Sequence, residues 1–461
     1  MTDKVRCVSP VDGSVYAERP RATDAEVAAT LDRARAAQRA WRQTTIADRA
    51  EACSRAVDAM LAMREAIVPE LAWQMGRPVR YGAGELNGFQ ERARHMIGIA
   101  ADALAPVDPG PKDGFVRYVR RDPLGLVLTI APWNYPYLTA VNSVVPALMA
   151  GNAVILKHAA QTLLVAERFQ AAMDEAGLPA GLFQHLFLSH DQTTRIIASG
   201  AVDHVCFTGS VEGGRAMERA AAGTFTGLGL ELGGKDPAYV RGDADLAHAV
   251  ENLVDGSFFN SGQSCCGIER IYVDANVHDA FVERFVDLTR QYVLGSPLES
   301  ETTLGPMVRP AAAEFVREQV AAAVRAGATA HVDPRSFERD APGSAYMAPQ
   351  VLTGVDHQMS VMREESFGPV VGIMPVASED EAVALMNDSP YGLTASIWTR
   401  DLEAAERIGT HIETGTVFMN RCDYLDPALA WTGVKDTGRG ATLSRVGYEM
   451  LTRPKSFHLR R

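Results

Sequence analysis

Along the first hundred positions the apolar residues recur at helical intervals. Thr23 and Glu26 form a capping-box pair, and Val27, Leu31, Ala34 and Trp41 follow at a spacing that lays one apolar stripe along a helix. Comparable stripes predict helices over 48–63 and 66–75. The second closes at Gly76 with Pro78 just beyond, because glycine accepts the left-handed conformation that ends a helix and proline does not extend one. These read as packing elements.

Beyond residue 124 the texture changes. Short apolar runs at 124–130, 153–156, 182–188 and 202–207 are separated by helix-length stretches, one opening at Pro136 and one spanning 162–176 before Gly177. Parallel strands need long crossover connections, so this alternation predicts a parallel α/β sheet, a type that binds ligands at its strand ends. A second alternation starts near Asp236, with strands at 238–240, 270–273, 370–375 and 395–399 and helices at 246–258, 279–292 and 378–386. It predicts a second α/β domain. Two charge-flanked β segments, 115–120 and 456–461, are expected to pair with each other or across a subunit interface.

Composition narrows the function classes. A chain of 461 residues exceeds one ordinary core, and 47% hydrophobic with 22% charged residues is the profile of a folded globular protein. The formal charge of −12, with Lys and Arg scattered, disfavours a nucleic-acid partner. The opening MTDKVRCVSPVDG lacks the apolar core of a secretory leader, and the most apolar stretches are broken by Pro, Asn and Gly. A cytoplasmic protein without membrane association is expected. The six cysteines form no CxxC pair, and the eleven histidines lack metal-site spacing, so reduced thiols and no bound metal are expected.

Four segments could carry chemistry. FNSGQSCCG (259–267) sets Cys265 after a Gly-containing turn in a polar context, where substrate can reach a thiol. LELGGKDP (230–237) holds Glu231 between leucines, a setting that raises a carboxyl pKa towards that of a general base, before two glycines that permit close approach. PWNYP (132–136) fixes Asn134 between two prolines after a β run, a rigid place for a hydrogen-bond donor. VCFTGS (205–210) runs a strand through Gly209 and Ser210 into a helix, offering backbone N–H groups to a phosphate. Singly, each also reads structurally: Cys265 as core filling, Glu231 as an ion-paired residue, Asn134 as a turn former, and Gly209–Ser210 as a simple connection.

Together and in this order the four segments resemble the aldehyde dehydrogenase superfamily, over nearly the whole chain, with GQSC after LELGGK as the most specific element. The resemblance implies an α/β fold with a Rossmann-like cofactor domain (1–102 and 123–232), a catalytic domain (233–438) and a small β-rich oligomerisation arm (103–122 and 439–461). It implies NAD(P)-dependent oxidation of an aldehyde to a carboxylic acid, with Cys265 as nucleophile, Glu231 as the base for deacylating water and Asn134 as an oxyanion donor. By the same resemblance Lys157 reaches the adenosine ribose, Gly209 and Ser210 lie beside the pyrophosphate, Trp133 lines the cofactor cleft, and Glu365 binds the nicotinamide ribose with Phe367 beside it. Tyr135, Leu425 and Trp431 fall where the family lines its aldehyde tunnel, with Arg421 close by in sequence as a cationic mouth for substrates such as succinate semialdehyde. A homodimer or homotetramer is implied.

Some positions depart from the family pattern. Ala160 stands where NAD-preferring relatives often carry Glu, which removes a charge that would repel a 2′-phosphate and admits NADP beside NAD. Asn142 and Ser143 replace a common Trp and Lys, and TGRG (437–440) lacks the Glu that often follows this Arg. Alternative readings are a CoA-acylating enzyme, which the presence of Glu231 disfavours, and a non-catalytic structural relative, which the retention of Cys265, Glu231 and Asn134 disfavours.

Overall fold

In the computed structural model, which describes residues 3–461, the two alternations of strand and helix become two separate sheets. The first is six-stranded, in the order Gly438–Arg439, Gly227–Glu231, His204–Thr208, Leu126–Ala131, Ala153–His158 and Phe183–His185, parallel except for its first edge strand. All six residues of Leu126–Ala131 are buried, as expected of a central parallel strand covered on both faces. The helices Asp24–Trp41, Ile46–Ala62, Pro136–Ala150 and Leu163–Glu175 pack around this sheet and share one core with it.

The second sheet is seven-stranded: Thr329–Ala330, Gln350–Thr353, Val370–Val376, Ile268–Asp274, Asp236–Val240, Thr394–Trp398 and Thr416–Met419. Successive residues of a strand point to opposite faces, and the packing follows that period. Ala238 and Val240 join the core on one side with Ile271 and Val273, while Tyr239 and Tyr272 join the core on the other.

Helices over 46–62, 64–75 and 163–175 match the apolar stripes within two residues or so, and Gly76 ends the 64–75 helix at φ 85°. The segments near 115 and 456 do pair with each other, as the antiparallel ribbon Phe115–Pro123 and Thr452–Arg460. Tyr118 stacks on Phe457 across it at 4.6 Å.

Several elements go beyond the pattern: a hairpin, Lys4–Val8 with Val15–Pro20, and the helices Val79–Ala103, His190–Ala198 and Pro310–Arg325. The 25-residue helix Val79–Ala103 contains four glycines, which argue against helix by propensity. Gly88 explains one of them, because a Cβ there would lie 2.4 Å from Leu138 Cδ2 on helix Pro136–Ala150. The missing side chain lets the two helices close on each other. Among the described residues no helix is long and apolar enough to cross a membrane.

Candidate active site

Cys265 is delivered by a tight turn. After helix Leu246–Phe258 the chain passes through three successive left-handed residues, Asn260 (φ 54°), Ser261 (φ 57°) and Gly262 (φ 69°). A non-glycine residue in that region costs about 1–2 kcal/mol, so the turn must be held from outside. Ser261 Oγ donates to Gly305 O at 2.8 Å, Asn260 Nδ2 to Gln263 O at 3.2 Å, and Gln263 Oε1 accepts from Val308 N at 2.7 Å, all buried. Gly262 is obligatory, since a Cβ would sit 2.2 Å from Gly368 O. The turn leaves Cys265 half-buried on the wall of a cavity of about 460 Å³, and Cys266 buried beside it.

Asn134 is fastened to this turn. Its Nδ2 donates to Gln263 O at 3.1 Å, and its carbonyl accepts from Arg77 Nη2 at 2.6 Å. Arg77 in turn forms a buried ion pair with Glu85, whose other oxygen accepts the N–H groups of Tyr137 (2.9 Å) and Leu138 (3.0 Å). Those donors open helix Pro136–Ala150, where a carboxylate satisfies otherwise orphaned N–H groups and complements the helix dipole. Arg77 and Glu85 were not singled out by the sequence. Asn134 itself is buried behind the thiol-bearing turn and is not among the residues on the cavity wall.

Glu231 ends its strand on the wall of the same cavity as Cys265. Burial lifts its pKa above the usual carboxylate value, as its apolar flanks predict, while hydroxyls donated by Thr442 (2.5 Å) and Thr208 (3.1 Å) pull the other way. The glycines after it admit two close neighbours. A Cβ on Gly233 would meet Glu365 Oε2 at 2.4 Å, and one on Gly234 would meet the carbonyl of Cys265 at 2.4 Å. A further carboxyl missed in the sequence, Asp423, lines the cavity and accepts from Ser264 Oγ (3.1 Å) and Cys266 Sγ (2.9 Å), with burial raising its pKa to about 7.

The remaining positions separate into two groups. Lys157 sits at the end of strand Ala153–His158, half-buried, with its pKa lowered by burial and then by the charge of Arg21. Ala160 opens the short turn Ala160–Thr162 nearby, exposed. Ser210 caps helix Val211–Ala221, accepting from Gly213 N at 3.2 Å, and a Cβ on Gly209 would meet the Phe207 ring at 2.7 Å. Trp133 and Phe367 meet edge to face at 5.7 Å. Glu365 accepts from Gly234 N at 3.0 Å, and burial, then the charge of Glu269, raises its pKa to about 7. The loop carrying Glu365 and Phe367 is held by Glu269, which accepts from Ser366 N (2.8 Å) and Phe367 N (2.9 Å) and pairs with buried Lys235. A cationic amine, a helix N-terminus preceded by a glycine with no room for a side chain, and a half-buried carboxyl fit a nicotinamide dinucleotide.

On the other side, Tyr135, Leu425 and Trp431 line the cavity with Cys265 and Glu231. Arg421 does not. It is exposed, with its guanidinium 3.4 Å from the centre of the Tyr424 ring, and the cation on the cavity wall is instead Arg92, from helix Val79–Ala103.

A parallel sheet of the dinucleotide-binding kind, set beside a cavity that holds a thiol and a carboxyl of raised pKa, is the layout of a cofactor-dependent oxidoreductase. The chain belongs to the aldehyde dehydrogenase family, whose model matches residues 1–457. It is 33% identical over 457 residues to a succinate-semialdehyde dehydrogenase [NADP(+)] of Mycolicibacterium paratuberculosis, covering 98% of this chain and 96% of that one. It is 32% identical over 453 residues to betaine aldehyde dehydrogenase 2 of Rhizobium meliloti, covering 98% and 93%. Among solved structures, succinic semialdehyde dehydrogenase from Streptococcus pyogenes in complex with NADP+ superposes with a TM-score of 0.94 at 28% identity, covering 99% of this chain and 100% of that one.

Proposed function

We propose that this oxidoreductase converts a carboxylate-bearing aldehyde, of the semialdehyde class, into the corresponding acid through a thioester on Cys265. The observation that carries the reading is that Cys265 and Glu231 line one cavity, the thiol on a rigid turn and the carboxyl with a pKa lifted by burial. The Cys265 thiolate attacks the aldehyde carbon, and the Cys265 backbone N–H with the Asn134 amide, tied to Gln263 O in the resting enzyme, stabilises the oxyanion. When bound, NAD or NADP supplies the hydride acceptor. Lys157 and the Gly209–Ser210 turn would hold its adenosine and pyrophosphate, and Trp133, Glu365 and Phe367 its nicotinamide end. Glu231 then takes a proton from water, which attacks the thioester and frees the acid. NADP is admitted because Ala160 presents no negative charge near Lys157, and the NADP-linked relatives support it.

In this reading 1–102 and 123–232 form the cofactor domain, 233–438 the catalytic domain, and 103–122 with 439–461 the arm that joins subunits into a dimer or tetramer. Cys265→Ala is expected to abolish NAD(P)H formation from any aldehyde, followed by absorbance without added CoA, while retaining cofactor binding by fluorescence quenching. Wild-type turnover by this variant would remove Cys265 from the scheme.

A further inference from the structure

Arg92 stands apart from the other charged groups of the catalytic cavity. Half-buried on the wall with Cys265 and Glu231, its Nη1 donates to Leu138 O at 2.7 Å and to Asn142 Oδ1 at 3.3 Å. Its other N–H groups meet no acceptor, and it forms no ion pair among the described residues. The carboxylate about two turns back along its helix, Glu85, is committed to Arg77. Glu85 and Glu231 favour its charge from a distance without forming an ion pair, and burial outweighs them, holding the pKa of Arg92 below its usual value, so a bound anion would relieve a real cost.

Among the described residues none of the cavity's acidic groups forms an ion pair with it. Burial raises the pKa of Glu231, of Asp255 and of Asp423, the last to about 7, and Asp423 is engaged by Ser264 and Cys266. Glu91, exposed at the rim, accepts from Tyr424 Oη at 2.8 Å. In the same cavity the Tyr135 hydroxyl is buried with no partner. Among the described residues Arg92 is thus the one cation on the cavity wall, and part of its guanidinium is left without a partner.

We propose that Arg92 is the specificity-determining residue for the substrate's distal carboxylate. Leu138 O and Asn142 Oδ1 fix the plane of the guanidinium, leaving a pair of donors for two carboxylate oxygens, a fork that lysine does not reproduce. The aldehyde carbon then lies at Cys265, on the wall of the same cavity. This rests on the semialdehyde reading above.

The test measures kcat/KM for succinate semialdehyde and for its uncharged methyl ester in wild type, Arg92→Lys and Arg92→Met. The acid-to-ester ratio is expected to fall roughly 10- to 100-fold in Arg92→Met, the range of a hydrogen-bonded charge pair, and to a lesser degree in Arg92→Lys. An unchanged ratio, whether both substrates lose rate together or neither does, overturns the assignment. A second readout needs no turnover: alkylation of Cys265 by anionic iodoacetate relative to neutral iodoacetamide, followed by peptide mass. That preference is expected to drop about tenfold or more in Arg92→Met, and equal preference in the variant and wild type overturns the assignment. Should wild type oxidise no aldehyde yet show the Arg92-dependent preference for iodoacetate, the functional reading fails while the anion site stands.

Discussion

Replacing Thr442 by Val removes one of the two hydroxyls donated to Glu231 while nearly preserving side-chain volume. The bond lost is the shorter one, 2.5 Å against 3.1 Å from Thr208, and both act against the burial that raises the pKa of Glu231. A hydrogen bond to an ionised group is worth about 1.5–3 kcal/mol, and one pKa unit corresponds to about 1.4 kcal/mol, so the Glu231 pKa is expected to climb by about 1–2 units. The ionised carboxylate is the form that accepts a proton from water. Its population falls as pH drops through the pKa, so a higher pKa moves the acid limb of kcat to higher pH by the same amount and leaves the alkaline plateau nearly intact. The assay is kcat against pH over about pH 5 to 10, with intact-mass measurement of acyl-enzyme in single turnovers, which should accumulate below the shifted limb. Thr442→Ser keeps a donor and should track wild type. An acid limb that stays in place or moves down, or a loss uniform in pH, would refute the role given to this hydroxyl.

Two further outcomes are expected. Glu231→Gln should form the thioester and fail to hydrolyse it, giving an adduct on Cys265 by intact mass. Normal steady-state turnover with no adduct would exclude Glu231 as the base. Lys235→Met leaves Glu269 buried without its cation and should cost about 3–5 kcal/mol of stability in urea unfolding, and adding Glu269→Leu should recover little of it, because the N–H groups of Ser366 and Phe367 then lose their acceptor. A single variant as stable as wild type, or a double variant restored to wild-type stability, would contradict the reasoning.

The two sheets were legible because their central strands are buried on both faces and read as short, largely apolar runs, such as 126–131 and 271–273, spaced by helix-length segments. Helix Val79–Ala103 was not, for a reason visible only in three dimensions. Gly82 and Gly88 abut Val68 and Leu138, so residues that weaken an isolated helix are what let this one pack, and packing outweighs propensity. The hairpin Lys4–Val8 with Val15–Pro20 escaped because its strands are short and its alternation is blurred where they meet the turn, with Val8 and Val15 apolar yet exposed.

In the site, legibility follows how local each residue's setting is. Cys265 and Glu231 lie in motifs whose own neighbours build their environment: the left-handed turn before one, the two glycines after the other. Thr208, Thr442, Asp423 and Arg92 come from separate parts of the chain with ordinary local sequence, and only tertiary convergence gives them work beside the thiol. Arg421 shows the converse. It lies four residues from Leu425, which is on the cavity wall, yet Asn420 (φ 53°) and Asp423 (φ 48°) bracket it with left-handed turns that leave its side chain over the Tyr424 ring in solvent. Nearness along a loop does not fix direction, whereas on a helix the direction repeats. Gly84, Gly88 and Arg92 lie at four-residue intervals along Val79–Ala103 and all line the cavity. On that face Gly84 borders open space while Gly88 admits Leu138 of the neighbouring helix, and Arg92 places the positive charge at the next step along it.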